Sequence, residues 1–153
     1  TDHHCLVPFH QLEKLRSTYP NLRIFTGIEI TVGEDILVLG LHHTVLESRS
    51  WDYASLWKYV RSRGGYMILA HPFRYHPHIM LDLDAYPPDG IEVCSMNTPV
   101  REEGRIRDVA EQYHLRLFTN SDAHWTAPIG KYFNDFPGTA ATDEELITLL
   151  RQS

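Results

Sequence analysis

Short apolar segments alternate with amphipathic helical patterns along the whole chain, and this alternation constrains the fold more than any other feature. The pattern predicts strands at 23–32, 36–41, 66–70, 91–93 and 115–118. Strands separated by helices imply right-handed crossovers and a mainly parallel sheet, while 36–41 is predicted to return as an antiparallel partner after a turn at 33–35. The sequence therefore predicts an α/β fold built on an open sheet or a barrel.

Four segments carry the helical pattern, and polar residues mark several of their ends. Apolar residues recur at helical spacing within 12–15, 53–60, 106–113 and 146–150. Ser50 is predicted to be the N-cap of the second helix, which Gly64 and Gly65 end. Thr142 and Glu145 match a capping box, so the last helix is predicted to begin there.

The length and charge of the chain limit its architecture and its partners. With 153 residues, it is predicted to form a single domain over residues 1–153. A net charge of -6 argues against an extensive nucleic-acid surface, which needs clustered Lys and Arg. The two cysteines, Cys5 and Cys94, favour a reducing compartment, and no apolar run approaches the roughly 18 residues of a membrane span. We therefore expect a cytoplasmic protein without a membrane partner.

Charged or imidazole side chains stand at the ends of five predicted strands. They are His3, Glu29, His71, Glu92 and the pair Asp122 and His124. The carboxyl ends of parallel strands meet at one edge of a sheet, where the sites of such folds lie. Imidazole nitrogens together with carboxylate oxygens suit zinc, manganese or iron. The sequence therefore predicts a metal site at this edge.

Five short motifs follow one another along the chain. They are Thr1-Asp2-His3, Gly27-Ile28-Glu29, Ala70-His71-Pro72-Phe73-Arg74, Gly90-Ile91-Glu92-Val93 with Asn97, and Ser121-Asp122-Ala123-His124. In order and approximate spacing they resemble the motifs of the PHP (polymerase and histidinol phosphatase) domain. The resemblance covers nearly the whole chain and implies a distorted (β/α)7 TIM-like barrel of PHP type. It also implies two or three divalent metal ions, and phosphoester hydrolysis as the usual reaction.

The resemblance implies roles for individual residues. Glu29 matches the carboxylate that bridges two metals, and His71 matches a ligand of one of them. Asp122 and His124 match ligands of separate metals, while His3 matches the imidazole that joins His124 at the third metal. Without the family order, an Asp-x-His after a strand is more typical of a turn or a helix cap.

The chain departs from the family pattern at its start. The family opens with a His-x-His pair, and nothing here precedes Thr1. His4 does not replace the pair, because neighbouring residues of a strand point to opposite faces. We therefore expect an N-terminally incomplete domain with a His-x-His roughly 30 residues upstream. A sheet without its first strand has an open edge, which invites homo-oligomerisation. Cys94 is an alternative further ligand that would favour zinc.

Other residues of the motifs are predicted to act on the substrate or on the ligands. Arg74 is predicted to hold a phosphate through two parallel hydrogen bonds. His76, or else His78, is predicted to donate a proton to the leaving group. The residues predicted to support the ligands without binding metal are Asp2, Glu92 and Asn97.

These residues together favour a metal-dependent phosphoesterase that hydrolyses a small phosphomonoester or a nucleotide-like substrate. A metal-bound hydroxide is the expected nucleophile, because clustered divalent metals generate hydroxide near neutral pH and offset negative charge on the phosphate. The alternative is a non-catalytic PHP-like regulatory or interaction module with a partial metal site, which the missing His-x-His pair favours. An amidohydrolase-like barrel fits less well, since no Lys stands at a strand end.

Overall fold

Strands and helices alternate along the chain in the computed structural model, which describes residues 1–152. The α-helices are α1 (Phe9–Thr18), α2 (Tyr53–Ser62), α3 (Glu103–Tyr113) and α4 (Asp143–Gln152). The strands are β1 (Gly27–Thr31), β2 (Asp35–Leu39), β3 (Tyr66–Leu69), β4 (Gly90–Cys94) and β5 (Arg116–Thr119). They form one five-stranded sheet in the order β1-β2-β3-β4-β5, in which β3–β4 and β4–β5 are parallel. The predicted α/β class is confirmed.

The described residues do not form the seven-stranded barrel that the sequence motifs imply. A barrel closes only when its two edge strands hydrogen-bond to each other. The strand order here places β1 and β5 at its two ends, so the sheet of the described residues is open. The fold shown is therefore mixed α/β with an open sheet.

The chain divides into two compact units. Unit one comprises Thr1–Thr31, Leu37–Tyr66 and the residues from Phe136 onward, while unit two comprises Val32–Ile36 and Met67–Asp135. Each unit has fully buried apolar side chains of its own. These are Ile28, Ile30, Val38, Leu46, Leu56 and Val60 in unit one, and Ile36, Met67, Leu69, Ile91 and Ile106 in unit two. The single domain over residues 1–153 stays a prediction.

In unit one, β1 is shorter than the predicted strand at 23–32. Two backbone groups just before it bind side chains from distant helices. The Ile24 carbonyl accepts a hydrogen bond from Arg16 Nε at 2.9 Å, and the Thr26 N–H donates to Asp143 Oδ1 at 2.6 Å. The strand therefore begins only at Gly27, because these groups are taken by side chains of α1 and α4.

The caps of α2 and α4 decide where these helices begin. Asp52, and not the predicted Ser50, caps α2, since its Oδ1 accepts the Ser55 N–H at 2.9 Å. At α4, half of the predicted capping box is present, because Thr142 Oγ1 accepts the Glu145 N–H at 3.2 Å. The Glu145 carboxylate, however, accepts the Ala141 N–H instead of completing the reciprocal box. The prediction of Ser50 was wrong because Ser50 and Asp52 are both residues that favour an N-cap, and it is the Asp52 side chain that accepts an N–H of the first turn of α2.

We expect Asp52→Ala to lower the melting temperature by a few degrees at neutral pH, and Asp52→Asn to lower it less. Hydrogen bonds from the Ser55 hydroxyl and then the Ser55 N–H hold the pKa of the Asp52 carboxyl below its ordinary value of 3.8. Because the pKa is depressed in the folded state, this stabilisation is complete above pH 3.8 and is lost as the pH falls through the folded pKa. Thermal unfolding of both variants across this range checks it. A gap between wild type and Asp52→Ala that stays constant with pH would contradict the capping role of the charge.

In unit two, α3 packs against β4 and β5. Ile106 and Ala110 lie one turn apart on α3 and are both buried. His114 ends the helix in the left-handed conformation at φ 55°, and the Leu115 N–H donates to the Ala110 carbonyl at 2.8 Å. This turn leads directly into β5 and therefore fixes where β5 begins beside β4.

No helix among the described residues combines the length and the apolar character needed to cross a membrane.

Candidate metal-binding residues

In unit one, the first residues of the chain run beside β1 as a short parallel segment. The Glu29 N–H donates to the Asp2 carbonyl at 3.0 Å, and the His4 N–H donates to the Glu29 carbonyl at 2.8 Å. These bonds pair His3 with Glu29 in a parallel bridge. The side chains of this pair lie close together, with His3 Nε2 3.6 Å from Glu29 Oε1.

The His3–Glu29 pair joins a buried carboxylate to an imidazole that is open to solvent. Glu29 is 6% exposed between Ile28 and Ile30, whereas the His3 side chain is 48% exposed. Two ligands of one zinc ion, each at about 2.0–2.2 Å, stand roughly 3.3–3.6 Å apart in tetrahedral geometry. The separation of this pair is close to that value, so His3 and Glu29 fit a divalent metal.

Asp2 and His4 contact the main chain on either side of this pair. Asp2 Oδ1 accepts the His3 N–H at 2.8 Å, so Asp2 orients the backbone of His3. His4 lies in the left-handed region at φ 50°, and its Nε2 accepts the Thr31 N–H at 3.2 Å. The imidazole of His4 is therefore engaged at the end of β1.

In unit two, His71 follows β3 and is buried between two carboxylates. The backbone N–H of His71 donates to Glu92 Oε2 at 2.8 Å, while its side-chain Nε2 lies 3.8 Å from Asp35 Oδ2. The backbone of His71 lies in the left-handed region at φ 26°, which is rare for a non-glycine residue. Such conformations persist when surrounding contacts fix them, and Glu92 supplies one of these contacts.

Glu92 is only 2% exposed at the centre of β4. Burial raises the pKa of its carboxyl, and the hydrogen bond from the His71 N–H opposes that rise. Thr98 Oγ1 also donates to Glu92 Oε2 at 3.3 Å. The carboxylate therefore holds the segment that follows β3, and its predicted support of a metal ligand stays a prediction.

Asp122 lies in the loop after β5, where three other side chains converge on it. Asn97 Nδ2 donates to Asp122 Oδ2, and Arg74 Nη1 lies 3.9 Å from the same oxygen. His124 Nδ1 lies 3.6 Å from Asp122 Oδ1 and 2.9 Å from the Asp122 carbonyl oxygen. If Nδ1 carries the proton and donates to that carbonyl, the lone pair of Nε2 is left to bind a metal. Asp122 and His124 thus fit metal ligands, and Asn97 holds the carboxylate of Asp122.

Three predicted residues lie outside these groups. His76 and His78 are exposed in the loop after β3, and neither makes a hydrogen bond or ion pair with another described residue. Cys94 is a partly buried free thiol at the end of β4. Arg74 is better placed, since its guanidinium stacks 4.9 Å from the ring centre of Tyr75 while reaching toward Asp122.

The sequence reasoning missed Asp35. The run Gly33-Glu34-Asp35 is typical of a turn, yet Glu34 and Asp35 are both buried. Glu34 Oε1 accepts the Met80 N–H at 3.0 Å, and the Asp35 carbonyl accepts the Ala70 N–H at 2.9 Å. The only local signal was the position of Asp35 directly before the apolar residues of β2. Among the described residues, the carboxylates Glu29, Asp35 and Asp122 each lie within 3.6–3.8 Å of an imidazole.

The carboxyl-terminal third of the chain matches a known family. Residues 101–153 match the PHP-associated family model. No curated protein sequence matches the chain. The matched segment contains α3, β5, Asp122, His124 and α4.

Two solved structures share the fold of the chain. One is a two-domain protein from Bacteroides vulgatus that contains a predicted PHP-like metal-dependent phosphoesterase, with a TM-score of 0.61 and 18% identity over 86% of this chain. The chain spans only 43% of that protein. The other is a proposed metal-dependent phosphoesterase from Bifidobacterium adolescentis, with a TM-score of 0.65 and 14% identity over 98% of this chain and 83% of the other. The PHP-associated match and this shared fold confirm that the chain resembles the PHP family, as its motifs indicate.

Proposed function

We propose that this chain is a metal-dependent phosphoesterase acting on a small phosphomonoester or a nucleotide-like substrate. One observation carries the proposal: three carboxylates, two of them buried, each face an imidazole at 3.6–3.8 Å. Burying an acid costs free energy unless a cation or hydrogen bonds compensate for it. The likeness to proteins described as metal-dependent phosphoesterases supports the same reaction class.

The donor set favours divalent cations of borderline hardness. Two or three ions of zinc, manganese or iron suit ligands that are all imidazole nitrogens or carboxylate oxygens. The residues proposed to hold them are His3 and Glu29 in unit one, and Asp35, His71, Asp122 and His124 in unit two. Such ions, when bound, make water a nucleophile near neutral pH and offset charge on phosphoryl oxygens.

Arg74 and His76 are proposed to act on the substrate. The Arg74 guanidinium can donate two parallel hydrogen bonds to a phosphate, which orients the phosphorus and offsets charge that develops during hydrolysis. Its place beside Asp122, at 3.9 Å, supports this role. His76 is exposed on the loop that carries Arg74, and we propose that it protonates the leaving oxygen.

The finer architecture is also a proposal. We propose that the five strands belong to a (β/α)7 barrel of PHP type, because a proposed phosphoesterase aligns over 98% of the chain. We further propose that the protein is cytoplasmic and that, where no further strand closes the sheet, its open edges favour homo-oligomers.

Metal content tests the proposal directly. We expect the protein, purified without added metal, to carry two or more equivalents of metal by elemental mass spectrometry, and Asp122→Ala to carry less. Asp108→Ala is the matched control, because Asp108 is an exposed aspartate on α3 and its loss should leave the metal content unchanged.

Activity is measured on the same samples with p-nitrophenyl phosphate and nucleoside monophosphates. We expect hydrolysis that stops with a chelator and returns with Mn²⁺ or Zn²⁺. Metal binding without hydrolysis of any substrate would favour the non-catalytic module. Absence of both metal and hydrolysis would overturn the proposed function.

A further inference from the structure

In unit two, the side chain of Asn134 helps to close the loop that carries Asp122 and His124. Asn134 Oδ1 accepts the Thr119 N–H at 2.8 Å, and Asn134 Nδ2 donates to the Thr119 carbonyl at 2.8 Å. Thr119 Oγ1 adds a bond to the Phe133 carbonyl at 2.5 Å. We name the two amide bonds between Asn134 and Thr119 the Asn134 clasp. The clasp brings the two ends of the 120–133 loop together.

The clasp lies on the outer edge of β5. The Asn120 N–H donates to the Cys94 carbonyl of β4 at 3.1 Å, and backbone groups of successive residues in a strand point to opposite sides. The N–H and carbonyl of Thr119 therefore face away from β4, on the side where residues 1–152 place no further strand beside β5. The Asn134 amide offers one acceptor and one donor to this edge, as a neighbouring strand would.

The clasp also reaches the residue that follows β5. Asn134 Nδ2 also lies 3.3 Å from Asn120 Oδ1, so the clasp extends one residue toward the ligands. Asp122 then lies in the left-handed region at φ 46°, which is uncommon for a non-glycine residue but is tolerated by aspartate better than by most residues. Asn97 fixes Asp122 from the β4 side, and the clasp fixes the start of the same loop from the edge of β5.

We propose that Asn134 is a positioning residue, whose clasp on Thr119 holds Asp122 and His124 in the geometry that binds metal. This inference rests on the proposed function for the role of the two ligands. Asn134 touches neither ligand and acts through the backbone of β5. Residues that hold metal ligands in place typically contribute about 10–100-fold to metal affinity.

The test compares Asn134→Ala with Asp135→Ala, which changes the exposed neighbouring residue. Amide hydrogen exchange of the metal-free protein comes first, and we expect Thr119 and the 120–124 segment to exchange faster in Asn134→Ala alone. Asn134→Asp keeps the acceptor for the Thr119 N–H but sets an oxygen against the Thr119 carbonyl, so an intermediate rate is expected. Unchanged exchange in Asn134→Ala would overturn the clasp, and far-UV circular dichroism verifies that each variant is folded.

Titration with Mn²⁺ then tests the positioning role. We expect Asn134→Ala to bind Mn²⁺ about 10-fold more weakly than wild type, and Asp135→Ala to bind like wild type. Faster exchange with unchanged Mn²⁺ affinity would overturn the positioning role. A wild type that binds neither Mn²⁺ nor Zn²⁺ and hydrolyses no phosphoester overturns the proposed function and with it the metal role of the clasp, whereas the exchange result still decides whether the clasp exists.

Discussion

Replacing Glu29 by glutamine is expected to reduce metal-dependent phosphoester hydrolysis by about 10³-fold or more, because a neutral amide cannot balance the charge of clustered divalent ions. Glutamine keeps the length and shape of the side chain, and Glu29 lies between two fully buried isoleucines of β1. The fold should therefore tolerate the change. Steady-state rates with saturating Mn²⁺ measure the effect.

The thermal stability of the same variant separates a ligand from a structural residue. Metal that binds the folded state raises its melting temperature. We expect Mn²⁺ to raise the melting temperature of wild type more than that of Glu29→Gln, while the two metal-free proteins melt within a few degrees of each other. Glu111→Gln is the matched control, since Glu111 is an exposed glutamate on α3. A large loss of stability in metal-free Glu29→Gln would assign Glu29 a structural role instead.

Local patterns in the sequence were sufficient to place the helices and strands but not their ends. The apolar periodicity of α3 and the short apolar run of β3 each depend on neighbours in the chain, and both elements appear where predicted. The start of β1 depends on Arg16 and Asp143, which are distant in sequence and bind backbone groups before Gly27. Barrel closure is likewise a property of strand pairing, which the alternation of elements does not determine.

The same distinction holds for the candidate ligands. Glu29 and His71 could be singled out as candidates because each stands in a short motif beside an apolar strand, and their metal-binding role stays a prediction. Asp35 could not be predicted from the sequence, because Gly-Glu-Asp is typical of an exposed turn. Its burial and its place 3.8 Å from His71 are evident only in the folded structure. Asn134 was hidden too, since its partner Thr119 is 15 residues away and nothing local distinguishes it from a loop asparagine.

Gly90, the first residue of the Gly90-Ile91-Glu92-Val93 motif, has a packing reason to be glycine. It begins β4, pairs with Ile68 of β3 on one side and Arg116 of β5 on the other, and is buried. A Cβ atom at this position would meet Phe118 Cε2, would lie 2.7 Å from Phe118 Cδ2 and would lie 2.9 Å from the Arg116 carbonyl oxygen. The aromatic ring of Phe118 thus occupies the space that a side chain would need.

Gly90→Ala is therefore expected to destabilise the protein by about 3 kcal/mol, because one methyl group must displace both a packed ring and a backbone carbonyl. For a chain of this size that corresponds to a melting temperature lower by roughly 6–12 °C. Gly104→Ala is the matched control, since nothing lies within 4 Å of a Cβ at this position of α3, and alanine there should stabilise the helix by up to about 1 kcal/mol.

A double mutant separates the two clashes at Gly90. Part of the destabilisation by Gly90→Ala arises from the Phe118 ring, so Gly90→Ala should cost about 1 kcal/mol less in a Phe118→Leu background than in wild type. If Gly90→Ala lowers the free energy of unfolding equally in both backgrounds, the Arg116 carbonyl alone excludes a side chain. Equal melting temperatures of Gly90→Ala and wild type would contradict the packing of β4 against β5.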